Sequence, residues 1–136
     1  GVFEITPIIT QNSERRKFNL ERGNKILLAA MKQSLRYELP ILNNPMLFSE
    51  YLSNSKDSYD SYVATCYNNE TKMLNKTLAK GNNSEIIIGP EGGFTLDEIN
   101  LAKKANFTPV SLGENRLRTE TAGVLVCSIF SIINQV

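Results

Sequence analysis

The run Glu85-Ile-Ile-Ile88 passes without a spacer into Gly89-Pro-Glu-Gly-Gly93, and that loop into Thr95-Leu-Asp-Glu98. The apolar run is short and β-branched, which predicts a strand covered on both faces. Three glycines and a proline directly after it are incompatible with helix. Thr95 and Glu98 have the spacing of a capping box, in which hydroxyl and carboxylate each satisfy a free amide, and they launch a helix to about Ala105. A buried strand that turns sharply into a helix is the repeating unit of a parallel α/β sheet.

The rest of the chain alternates in the same way. Val2–Ile9 is strand-like, with Pro7 marking an edge or an end. Residues 20–35 have helical period, with Leu20, Leu27, Leu28, Met31 and Leu35 on one side. Asn44 as cap and Pro45 as first residue open a second short helix. Ser61–Cys66 is a strand, 71–79 a helix ended by Gly81, Phe107–Leu112 a strand, and Thr119 caps a last helix. The pattern predicts one α/β domain over residues 1–136, with a mostly parallel sheet and helices on both faces. The sequence starts at Gly1 and enters a strand pattern at once, which reads as part of a longer protein.

Absences narrow the chemistry. There is no His, so Ser-His-Asp and Cys-His catalysis and His-ligated metals are excluded. The two cysteines, Cys66 and Cys127, are too far apart for a CxxC motif or a zinc knuckle and read as small buried hydrophobes; no metal is expected. No stretch reaches the roughly 18–20 apolar residues of a membrane span, which with free cysteines predicts a cytoplasmic protein. A formal net charge of +1 does not suit a protein that coats nucleic acid unaided, although it permits a local basic patch.

In parallel sheets, ligands bind beyond the carboxyl ends of the strands. Three segments fall there: Ala64-Thr65-Cys66, Ile88–Gly93, and Leu112-Gly113 through Arg118–Thr121. Missing side chains in the glycine loop let main-chain groups approach a flat or anionic ligand. The loop has neither the Lys-Ser/Thr of a P-loop nor the GxGxxG spacing, and a plain tight connection is the alternative. Thr119 and Glu120 read as cap and dipole complement. Arg118 is unfavourable at a helix start and reads as facing a ligand or an acidic partner such as Glu91. Arg22, Lys25, Lys32 and Arg36, edged by Gln33, form a stripe that could hold RNA phosphates or be a solvated face; Arg15-Arg16-Lys17 adds to the positive patch or is only a solvated turn. The last helix, Ala122–Ile133, has little polar face, which predicts a second subunit against it; the alternatives are an unusually apolar surface helix or one packed on a part of the protein outside these residues.

Ile88-Gly-Pro-Glu-Gly-Gly-Phe94, Val110-Ser-Leu-Gly113 and Leu117-Arg-Thr-Glu-Thr-Ala122 resemble the RsmE family, the 16S rRNA uridine N3-methyltransferases of the SPOUT superfamily. Glu4-Ile-Thr-Pro7, and Ala30–Arg36 with Pro40, resemble the family's earlier motifs in the same order. The resemblance implies a C-terminal trefoil knot, a homodimer through the last helix and S-adenosylmethionine as methyl donor. It implies a cofactor pocket of Thr65, Cys66, Ile88, Gly89, Pro90, Glu91, Gly92, Gly93, Leu112, Gly113, Leu117, Arg118, Thr119, Thr121 and Ala122. The implied reaction methylates N3 of one uridine in 16S rRNA of the small ribosomal subunit. For it, Arg118 is expected to stabilise the deprotonated base, Gln33 or Arg36 to hold the base edge, and Glu120 or Glu91 to take the proton. The family's N-terminal RNA-binding barrel, and the first strand and helix of its catalytic domain, have no counterpart in these residues. The rival expectation is a non-catalytic nucleotide-binding or dimerisation module, inactive as this piece.

Overall fold

The computed structural model describes residues 1–66 and 71–135. The first strands are short: β1 (Glu4–Ile5) and β2 (Ile8–Ile9), broken at Pro7 as a residue without an N–H requires. They are followed by α1 (Leu20–Gln33), β3 (Ile41–Leu42), β4 (Met46–Leu47) and α2 (Phe48–Ser53). The second half contains β5 (Asp60–Ala64), α3 (Leu74–Thr77), β6 (Ser84–Ile87), α4 (Leu96–Lys104), β7 (Thr108–Val110) and α5 (Thr119–Asn134).

Every strand pair among the described residues is parallel, as expected, but the strands form three patches rather than one sheet. β1 pairs with β3, β2 with β4, and the largest patch has the order β6-β5-β7. Neighbouring residues of β5 point to opposite faces. Val63 packs with Ile87 against Phe48 and Leu52 of α2 and Ile99 and Ala102 of α4. Tyr62 packs on the other face with Leu74, Val110 and, on α5, Val126. Helices therefore cover both faces, and Leu74, Val63 and Val110 are fully buried between them.

Four local expectations are corrected. Asn44-Pro45 precedes β4, not a helix: the Met46 amide donates to the Pro7 carbonyl at 3.1 Å, and Ile8 pairs with Met46. Strand pairing overrides the cap signal there, and α2 starts at Phe48. The helix expected over 71–79 is one turn, Leu74–Thr77. Of the apolar side expected over 20–35, Leu20, Leu27 and Met31 are half-buried, whereas Leu28 is 41% exposed and Leu35, beyond the end of α1, is 83% exposed. The cysteines are not buried, since Cys66 is exposed and Cys127 partly so.

The end of β7 is held on two sides. The Thr65 amide donates to the Val110 carbonyl at 3.0 Å. On the opposite side Ser111 donates to Lys72 at 2.9 Å and accepts from Leu74 at 3.0 Å, through main-chain groups. Residues 110–111 thus lie between the end of β5 and the segment that enters α3.

Candidate functional site

β5, β6 and β7 run parallel, so their carboxyl ends meet at one edge. The loops that leave them enclose a cleft of about 300 Å³, at the lower end of the size range for small-molecule sites. Thr65 and Cys66 follow β5; Ile88, Gly89, Pro90, Glu91 and Gly93 follow β6; Leu112, Gly113, Leu117, Thr119 and Ala122 follow β7. All of these line the cleft, so three segments distant in sequence form one concavity.

The glycine loop is fastened from three directions. The Gly93 amide closes a turn on the Pro90 carbonyl at 2.8 Å, and Gly93 has φ +75°, where a side chain is disfavoured. Thr119 Oγ1 donates to the Gly89 carbonyl at 2.8 Å. Arg116 Nη2 donates to the Glu91 carbonyl at 2.8 Å. Asn12 Nδ2 reaches the carbonyls of Gly92 and Gly93 at 3.3 and 3.1 Å. Gly113, in the facing loop, has φ +136°, and a Cβ built there would meet nothing within 4 Å. Bare backbone therefore borders the cleft on that side.

Thr119 was expected to cap α5. The N-cap residue is Arg118, without a side-chain cap bond, and the Thr119 hydroxyl serves the glycine loop instead. Thr119 is the first helical residue rather than the cap, so its hydroxyl is free to donate across the cleft wall.

The remaining expected residues are distributed as follows. Gly92, Arg118 and Thr121 do not line the cleft; Gly92 packs against Asn12, whose Cβ would lie 2.9 Å from an added Cβ. Arg118 and Glu120 are exposed at the start of α5. The cation that joins to the Glu91 residue is Arg116, not Arg118, and it meets the carbonyl rather than the carboxylate. Gln33, Lys32, Lys25 and Arg22 are exposed on α1, and Lys25 pairs with Glu21 at 3.2 Å. Arg36 follows α1 and lines a separate depression with Phe3, Tyr37 and Ile41 that shares no residue with the cleft.

Ala64, Asn115 and Arg116 also line the cleft; they fall within the three strand-end segments but not among the individually expected contacts, and Phe94 lies outside both. Phe94 could have been found from its place at the end of the glycine run, where its ring lies about 3.0 Å from a Cβ on Gly89. Among the described residues no group of Cys, Asp and Glu is placed to hold a metal ion, and no helix is long and apolar enough to cross a membrane.

An RNA methyltransferase domain family matches residues 1–131. The chain is 36% identical over 127 residues to a ribosomal RNA small subunit methyltransferase E of Rickettsia conorii, covering 91% of this chain and 51% of that protein. It is 32% identical to one from Mesomycoplasma hyopneumoniae, covering 93% and 56%. Among solved structures it is similar to a ribosomal RNA small subunit methyltransferase E from Neisseria gonorrhoeae bound to S-adenosyl methionine, with TM-score 0.89, 27% identity, and 98% and 56% of the two chains covered. A probable rRNA-methyltransferase from Porphyromonas gingivalis superposes with TM-score 0.85 at 33% identity, covering 93% and 54%. The chain spans about half the length of the curated relatives it matches. By the match that runs from Gly1 to Phe130 and one residue beyond, it belongs to the RNA methyltransferase domain family.

Proposed function

We propose that this chain is the catalytic part of an S-adenosylmethionine-dependent methyltransferase that modifies N3 of one uridine in 16S rRNA of the small subunit. The observation that carries this reading is the convergence of three strand-end loops on one cleft of about 300 Å³. The residues present suit the donor. Ile88, Leu112, Leu117 and Ala122 give apolar walls for a planar base, and the open backbone at Gly113 offers peptide groups to its edge. The solved relative from Neisseria gonorrhoeae, bound to S-adenosyl methionine, supports the same choice.

When bound, S-adenosylmethionine supplies an electrophilic methyl group on a sulfonium. The chain's work is then to position the acceptor and stabilise its charge. Loss of the N3 proton spreads negative charge over the uracil carbonyl oxygens, and Arg118 is the cation assigned to it. Glu91 beside the cleft, or Glu120 in the first turn of α5, takes the proton. Gln33 or Arg36 holds the base edge. Arg118 is exposed and outside the cleft lining, while Gln33 and Arg36 lie elsewhere on the surface, so in this reading a second copy brings them together. The homodimer forms through α5, whose Val124 and Ile132 are 69% and 67% exposed in the single chain. N3 is hidden in paired RNA, so the uridine must be unpaired or flipped. The double grip on residues 110–111, from the end of β5 on one side and the residues that enter α3 on the other, supports a trefoil knot.

Calorimetry with S-adenosylhomocysteine tests the proposal: saturable binding is expected, with none for ATP or NAD. Absence of binding, or equal binding of ATP, removes it. Cofactor binding without methyl transfer to small subunits, even by a full-length relative carrying these cleft residues, establishes the non-catalytic module instead.

A further inference from the structure

We infer that the segment after β2 is an RNA-phosphate docking strip, Arg15-Arg16-Lys17, registered on the donor cleft by Asn12. This rests on the reading of the cleft given above and adds where the nucleic acid strand runs.

The root of the segment is rigid. Thr10 is only 4% exposed. Its amide donates to Ser13 Oγ at 3.0 Å, the two hydroxyls lie 3.0 Å apart, and the Ser13 amide donates back to the Thr10 carbonyl at 3.2 Å. This closed turn presents Asn12, whose amide holds the carbonyls of Gly92 and Gly93. Gly93 lines the cleft. An extended chain advances about 3.3–3.6 Å per residue, so the Cα of Arg15 lies within about 11 Å of that of Asn12.

From this anchored turn the chain passes through the exposed Glu14 into three consecutive exposed cations. Among the described residues the ion pairs are Lys25–Glu21 and Lys56–Glu4, and the three cations take part in neither. Three of the chain's 15 basic residues are thus concentrated beside the cleft in a molecule with net charge +1. Their common chemistry is that of phosphate oxygens: point charges and guanidinium forks that position a strand without reading its bases. Base recognition is left to the cleft. A strand laid on the strip would be registered against the glycine wall through Asn12. Among the described residues no such tie joins the α1 stripe to the cleft, and one member of the stripe, Lys25, is already paired.

The test measures binding of fluorescein-labelled oligouridylate by anisotropy over a range of salt concentrations, with S-adenosylhomocysteine calorimetry in parallel. Replacing Arg15→Gln, Arg16→Gln and Lys17→Gln together is expected to weaken the RNA at least tenfold. It should lower the magnitude of the log–log salt slope by about 2, the value for three phosphate contacts on a single strand. S-adenosylhomocysteine affinity should stay unchanged. Arg15→Lys with Arg16→Lys should retain the parent slope, and circular dichroism confirms that each variant is folded. An unchanged RNA affinity and slope in the Gln variant overturns the inference. So does a parent chain that binds S-adenosylhomocysteine but no oligouridylate, or a comparable slope loss only on Arg22→Gln with Lys25→Gln and Lys32→Gln. RNA loss in the Gln variant with no S-adenosylhomocysteine binding by the parent keeps the strip and removes the donor cleft.

Discussion

Arg116 joins two walls of the cleft through a single charged hydrogen bond to the carbonyl of Glu91. Such bonds contribute about 1–3 kcal/mol, and the lower figure suits an exposed site. Arg116→Ala is therefore expected to weaken S-adenosylhomocysteine about fivefold in calorimetry while leaving the melting temperature nearly unchanged. Gly113 behaves in the opposite way. There is room for a methyl group, yet its φ of +136° is one that side chains rarely adopt. Gly113→Ala should lower stability by about 1–3 kcal/mol in urea titration and distort the cleft. Glycines were readable as cleft-formers because a missing side chain is visible in a sequence. Arg116 was not, because its partner is a main-chain carbonyl, which every residue has. Thr119 was assigned to the right place with the wrong bond, since a hydroxyl at a helix start leaves no sign of which acceptor it faces.

The elements that sequence defined best are those stabilised locally. In α4 the Thr95 hydroxyl accepts from the Glu98 amide at 3.1 Å and the Glu98 carboxylate from the Thr95 amide at 3.2 Å, both bonds lying within one turn. Thr95→Ala should cost about 1 kcal/mol, read as a shift of the urea midpoint. The short strands were less legible, because β4 exists only through its pairing with β2, a partner distant in sequence. Between α2 and β6, Tyr51 donates to Glu85 at 2.8 Å, and Ser61 donates to the other oxygen of that carboxylate at 2.6 Å. Burial first, and the Glu85 carboxylate second, hold the Tyr51 phenol well above its ordinary pKa. The folded chain keeps this proton at alkaline pH when the unfolded chain has lost it. The contribution is therefore complete below about pH 10 and declines as pH rises beyond it. Tyr51→Phe should lower stability at neutral pH and flatten that alkaline decline in thermal melts.

At the scale of the molecule, the parallel α/β class followed from periodicity, while the division into three strand patches did not, because pairing partners carry no local mark. On the proposed dimer, Val124→Asp with Ile132→Asp should give a monomer by light scattering, since two charges would face the apolar surface of the other copy. The grip on residues 110–111 bears on how the molecule is made. In the proposed knot, the tail that follows residues 110–111 enters between two rims that already stand, the end of β5 and the segment that leads into α3. During synthesis the rims emerge from the ribosome first and the inserting tail last, which is the favourable sequence of events. A chain diluted from urea has no such order imposed on it, and it should regain its native signal far more slowly than its small size would suggest.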